Sequence, residues 1–250
     1  MLFRSGSATG INFSGNLYQS WKNPRLNLNL EMDEGRFREF DFKNLAVNIQ
    51  YRQQELIFKN LKAAYGERKI KGWGSIDLKK APPSVKANFS LDPLSYSFID
   101  DFTGVSLPVV GEFKADIKVE GKVSKPEISG IITSNDTLLN IDGISYSLQQ
   151  VYLSFVRKGD TAYDIKALSL TSDNFSLNVN GNFQTEKINL SYNFSNCDLS
   201  CWEEFLPSLE GELEMEGKIR GSFSAPVISG RFNTRDLLYK NVDLNQVQGE

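Results

Sequence analysis

The chain has 250 residues, 40% of them hydrophobic and 12% aromatic, enough apolar content for an ordered structure of one large or two ordinary domains. Its 28 basic and 31 acidic residues are interspersed, and the net charge of −3 lacks the basic footprint that nucleic-acid binding requires. There is no histidine, which removes Ser-His-Asp and Cys-His catalysis and most zinc sites together.

The N-terminus, MLFRSGSATG, lacks the apolar core of a signal peptide, and no stretch approaches the ~18 consecutive apolar residues of a membrane-spanning helix. After Gly15 and Pro24, Leu26, Leu28, Leu30 and Met32 alternate with Asn27, Asn29 and Glu31, the pattern of a strand with one buried and one wet face. Further strands are expected around Phe37 to Phe42, from Leu45 to Tyr51 and from Glu55 to Tyr65, with short turns that imply antiparallel neighbours. Beyond Gly74 and the Pro82-Pro83 pair, Val85, Ala87, Phe89 and Leu91 share a face. Asp92 followed by Pro93 predicts a short helix capped by Asp92, with Leu94, Phe98, Ile99 and Phe102 at helical spacing and Gly104 at its end.

The strand pattern restarts at Gly111, where Phe113, Ala115, Ile117 and Val119 oppose Lys114, Asp116, Lys118 and Glu120. Strands follow near Ile131, from Leu138 to Ile141, from Tyr146 to Phe155 and from Tyr163 to Thr171. Then Phe175, Leu177, Val179 and Phe183 alternate with Ser176, Asn178, Asn180 and Asn182, and Ile188, Leu190, Tyr192 and Phe194 form the next face. A second short helix is expected, capped by Asp198 or Ser200, with a capping box between Ser200 and Glu203. Leu199, Trp202, Phe205 and Leu206 make its apolar side and Pro207 stops it. Cys197 and Cys201 fit neither a redox CxxC nor a zinc ribbon; at i and i+4 of one helical turn they read as small packing residues, with a disulfide open to them in an oxidising compartment.

One segment is repeated. GKVSKPEISG, Gly121 to Gly130, returns one hundred residues later as GSFSAPVISG, Gly221 to Gly230, and Gly211 restarts the strands as Gly111 did. A looser copy runs from Gly15 to Pro24. The chain therefore reads as one continuous repeat array: unit 1 at about 1–103, unit 2 at about 104–207 and the start of a third at about 208–250. Each full unit is expected to hold eight or nine short antiparallel strands and one small helix, and the QVQGE ending reads as a strand cut short in an excerpt of a longer protein. The motif itself is architectural: Gly121 and Gly221 permit a turn, and Pro126 and Pro226 sit at a strand start or edge where no amide donor is needed. No phosphate-loop or dinucleotide pattern surrounds it.

An array with a continuous apolar face must cover it with a second sheet, with lipid outside a barrel, or with a ligand held in a groove. The run GEFKADIKVEGKVSKPEISGII, its echo GELEMEGKIRGSFSAPVISGRF, and a helix of the form Leu-Ser-x-x-x-x-Phe-Leu-Pro resemble the C-terminal repeats of the TamB (translocation and assembly module) and AsmA-like family over most of the chain. That resemblance implies an elongated, twisted antiparallel sheet rolled into an open, taco-like groove. It further implies a periplasmic protein anchored in the inner membrane of a two-membrane bacterium, through a helix outside this sequence, that conducts phospholipid to the outer membrane. An outer-membrane barrel of the Omp85 type is the implied partner. Roughly eighteen to twenty strands spaced ~4.8 Å apart would extend about 90 Å. The residues expected to line the groove are Leu26, Leu28, Leu30, Val85, Phe89, Leu91, Phe113, Ile117, Val119, Phe175, Leu177, Val179, Ile188, Leu190, Tyr192, Phe194, Leu213 and Met215.

Two other readings compete. A scaffold for outer-membrane protein assembly would offer its sheet edges to nascent strands, and a transmembrane barrel would turn the same face to lipid. The barrel is disfavoured by uneven strand lengths and recurring helices. Enzymatic activity is not expected: the paired carboxylates Asp100-Asp101 and Glu203-Glu204 read as solvated charge, and no cofactor or metal is implied.

Overall fold

The computed structural model describes residues 7–18, 24–37, 40–65, 68–97, 108–141, 143–159, 161–203, 207–240 and 242–249. They form an all-β, antiparallel, open sheet, as the alternating faces require. The chain divides into two compact units, Met1–Ile132 and Thr133–Glu250, and the division falls inside a strand.

The first unit contains β1 (Ser7–Thr9), β2 (Asn12–Tyr18), β3 (Arg25–Phe37), β4 (Phe40–Arg52), β5 (Glu55–Tyr65), β6 (Arg68–Asp77), β7 (Ser84–Ser95), β8 (Val109–Val110) and β9 (Glu112–Lys122). β2 to β7 pair in chain order and β7 pairs with β9, while β1 pairs with the far end of β3. β10 (Lys125–Ile141) runs across the division. The second unit continues with β11 (Ile144–Lys158), β12 (Ala162–Thr171), β13 (Ser176–Gln184), β14 (Lys187–Asp198), β15 (Leu209–Ser222) and β16 (Ala225–Tyr239). These also pair in order, and β17 (Val242–Asn245) and β18 (Gln248–Gly249) both add to β16.

Most of the strands are long, not short: β10 has 17 residues and β11 has 15. The separate strands expected near Ile131 and Leu138 are parts of β10, and the strand expected around Phe37 to Phe42 is the junction of β3 and β4, where Phe37 pairs with Phe40.

The repeated motif is a two-residue β-hairpin. In the second copy Gly221 lies opposite Pro226 and Ser222 opposite Ala225, with Phe223 and Ser224 as the turn. Gly121 and Gly221 have φ of 105° and 110°, a backbone that a side chain disfavours. Ser222 Oγ accepts from the Ala225 amide at 3.1 Å and closes the turn. The hundred-residue correspondence continues past the hairpin: Asp136 and Asp236 both take positive φ, and each is followed by a buried residue, Thr137 or Leu237. Ser134 and Thr234 are both buried.

The expected start of the first helix is corrected: the first helical residue described is Ser97, not Asp92 or Pro93. Asp92 and Pro93 lie within β7, in the irregularity between the pairs Leu91–Ala115 and Leu94–Phe113. The pairing to β9 carries the strand past the local cap signal, and the bulge takes the proline that has no amide to donate. Phe98, Ile99, Phe102 and Gly104 lie outside the described residues. At the second site a 3₁₀ turn spans Leu199–Trp202, capped by Asp198, which accepts from the Ser200 amide at 2.9 Å. Ser200 is therefore the capped residue and not the cap; Glu203 sits at the C-terminal end, and no capping box starts from Ser200. Cys197 belongs to β14 and Cys201 to the 3₁₀ turn, so the two do not share one helical turn. Phe205 and Leu206 are outside the described residues.

Among the described residues each unit has one buried cluster. In the first, Leu94, Tyr96, Phe113 and Ala115 come together, with Tyr96 and Phe113 rings 5.2 Å apart. In the second, Leu148, Phe175, Phe194, Cys197, Leu199 and Leu237 do so, with Phe175 and Phe194 rings 5.5 Å apart.

Candidate functional site: two ladders of apolar side chains

Register converts the alternation of single strands into a surface. In the second unit Val151, Leu170, Leu177, Phe194, Met215 and Phe232 are successive cross-strand partners from β11 to β16. The next rung is Leu153, Leu168, Val179, Tyr192, Gly217 and Gly230; the one after is Phe155, Ile165, Gly181, Leu190, Ile219 and Ile228. A fourth, nearest the repeated hairpin, is Arg157, Tyr163, Phe183, Ile188, Gly221 and Pro226.

The first unit builds the same surface. Leu26, Tyr51, Leu56, Ile76, Val85 and Gly121 form one line of partners from β3 to β9, and Leu28, Ile49, Phe58, Gly74, Ala87 and Val119 form another. Leu30 with Val47, Phe89 with Ile117 and Leu91 with Ala115 extend it.

The groove candidates divide by burial. Leu26, Leu28, Leu30, Val85, Phe89, Ile117, Val119, Val179, Ile188, Leu190 and Tyr192 are half-buried on these ladders. Phe113, Phe175 and Phe194 are buried in the two clusters, and Leu91, Leu177, Leu213 and Met215 pack against them. Those three phenylalanines hold the ends of the faces together and present little surface. The candidate residues that sequence reasoning missed are Ile49, Tyr51, Phe58, Leu153, Leu168 and Ile219. The alternation of Leu45, Val47, Ile49 and Tyr51 already carried the signal for β4; β11 reads VYLSFV, so only pairing shows which half faces which side.

Aromatic rings lie over glycines on these faces. Tyr192 lies across Gly217 and Gly230, its hydroxyl 2.8 and 2.9 Å from where side chains at those positions would begin. Phe89 covers Gly72 and Phe58 covers Gly74 in the same way. The rings fill the volume their partners lack, which keeps the face shallow and continuous.

The opposite face carries polar side chains that pair with one another. Asn48 donates to Asn29 at 2.6 Å, Arg235 pairs with Glu214 at 3.1 Å, and Arg231 pairs with Glu216. A depression of about 740 Å³ there is lined by Asn193, Glu214, Glu216, Arg231, Asn233 and Gln248 among others. Its charges are already paired with one another, so it offers few groups to a ligand. The carboxyls of Glu120 and Asp164 are held below the usual range by hydrogen bonds from Lys118 and Lys166, with burial opposing, which is surface pairing and not catalytic poise.

Among the described residues, no helix is long and apolar enough to cross a membrane, and no group of three metal-ligating side chains occurs. The fold and its faces define a class, an open antiparallel sheet with one apolar and one polar side. The chain matches no family model, no curated protein and no solved structure.

Proposed function

We propose that the chain is a lipid-conducting segment: its apolar faces form a groove along which phospholipid acyl chains pass between two membranes. The observation that carries this reading is the set of cross-strand rungs, apolar but for Arg157 across six paired strands in each unit and half-buried along most of their length. Exposing an acyl chain to water costs about 0.8 kcal/mol per methylene, so fifteen methylenes cost on the order of 12 kcal/mol. A continuous strip of Leu, Ile, Val and Phe removes much of that cost at every point along the path. It also lacks the convergent polar groups that would trap the lipid at one place.

The resemblance to TamB and AsmA-like repeats supports the same reading and supplies its setting: a rolled groove in the periplasm, an inner-membrane anchor and an Omp85-type barrel partner. No chemistry is done on the lipid. A scaffold for outer-membrane protein assembly is the alternative, favoured by exposed apolar side chains near the two outermost strands, Phe13 and Leu17 on β2 and Val227 and Ile228 on β16.

Leu190→Glu tests the choice. A carboxylate in the middle of the third rung should reduce loading of fluorescent phospholipid from vesicles at least tenfold while circular dichroism and thermal melting stay close to wild type. Undiminished loading by a folded variant would reject the groove and favour the scaffold.

A further inference from the structure

The polar face of the first unit holds an uncharged patch. A depression of about 420 Å³ on β2, β3 and β4 is lined by Ser14, Asn16, Asn27, Asn29, Asn48 and Gln50 around Gly15. The register sets these side chains in two rungs of three: Asn16, Asn27 and Gln50 in one, Ser14, Asn29 and Asn48 in the other. With strands ~4.8 Å apart and like-facing residues ~6.8 Å apart along a strand, the array measures about 10 by 7 Å. None of the lining residues is charged; charged side chains begin one position outside, at Arg25 and Glu31 on β3, Arg52 on β4 and Lys59 on β5.

Hydrogen bonding among these groups is incomplete. Asn48 donates to Asn29 at 2.6 Å, whereas among the described residues Ser14, Asn16, Asn27 and Gln50 have no side-chain hydrogen bond. Each carboxamide offers two N–H donors and a carbonyl acceptor, so the patch presents donors and acceptors side by side without net charge. Tyr18 follows Asn16 on the same face by the alternation of β2, and it is 50% exposed at the border of the array. Its ring sets an apolar plane beside the amides. The larger depression of the second unit differs, because Glu214, Glu216 and Arg231 in its lining are engaged in ion pairs.

We propose that this patch binds a neutral oligosaccharide, with sugar hydroxyls on the carboxamides and the C–H face of one ring on Tyr18. The match is chemical. A hydroxyl both donates and accepts, which suits a surface of mixed donors and acceptors, and the ring face supplies the apolar plane that an exposed tyrosine can cover. An ionic ligand would find no opposite charge in the lining to offset its desolvation. An acyl chain would leave the amides without partners. The site lies on the face opposite the apolar ladders and is independent of the lipid reading.

The test uses the purified chain with maltotriose, cellotriose and triacetylchitotriose, read by saturation-transfer NMR and by titration. Wild type should bind at least one of them with a Kd on the order of 1 mM or tighter. Asn27→Ala combined with Gln50→Ala, and Tyr18→Ala alone, should each weaken that binding about tenfold, the scale of one or two lost hydrogen bonds or of a lost ring contact. Because these side chains sit on the wet face, the melting temperatures should stay close to wild type. Asn178→Ala combined with Asn193→Ala, paired amides on the wet face of the second unit, should leave sugar binding unchanged. Saturation transfer to none of the three sugars would overturn the proposal. So would unchanged affinity in either patch variant, or an equal loss in the Asn178 and Asn193 variant.

Discussion

Asp198 closes β14 with one oxygen. Its Oδ1 accepts from the Ser200 amide at 2.9 Å and from the Ser200 hydroxyl at 2.6 Å, and these bonds hold the carboxyl below its ordinary value of 3.8 against a smaller opposing effect of burial. Asp198→Ala should cost about 1 kcal/mol, as loss of a cap does. Because the folded carboxyl is the more acidic one, this contribution is complete above the unfolded value and disappears as pH falls through the folded value. The gap between wild type and variant in urea melts should therefore be constant at neutral pH and close below about pH 4. A gap that does not narrow in acid would mean that something other than the charged cap is lost. Gly217 and Gly230 show a second residue-scale device. They face each other across β15 and β16, and a side chain at either would collide with the partner strand's backbone as well as with Tyr192.

At the scale of elements, the clusters decide how firmly each face is held. Leu199, carried by the four-residue 3₁₀ turn, is 2% exposed among Phe194, Cys197 and Leu237. Phe194→Ala should cost about 3–5 kcal/mol through lost burial and the cavity left behind. Its neighbour Asn193, on the wet face, should tolerate alanine within about 0.5 kcal/mol. Urea unfolding of both variants checks this, and equal losses would mean that the faces are assigned wrongly. The same elements show what was legible beforehand. Strand faces were readable wherever one side is Asn, Ser or Lys, as in β3, β9, β13 and β14, because a period of two leaves only one way to bury the apolar half. The helix start was placed too early, at Asp92-Pro93 and not at Ser97, because a cap signal is local, whereas the pairing of Leu91 and Leu94 with β9 comes from residues some twenty positions later. Boundaries such as that between β3 and β4 were lost because Phe37, Phe40 and Phe42 carry the apolar signal across the junction with no Gly or Pro between them.

For the whole molecule, the claim concerns a surface and not a site. The repeated Gly-x-x-x-x-Pro segment is a hairpin that keeps successive strands in register, and what it keeps in register is the apolar side. Arg157 illustrates what single-strand reading cannot reach: VYLSFVRK looks like an apolar run ending in ordinary basic residues, and only its pairing with Tyr163 places that arginine on the apolar face. The most direct measurement is photo-crosslinking in cells, with the reactive group placed at Leu28 and Leu190 on the apolar faces and at Asn29 and Asn189 beside them on the polar ones. The account predicts phospholipid adducts at the two leucine positions and none above background at the asparagines. Equal labelling of both sides, or protein adducts alone at the leucines, would contradict it.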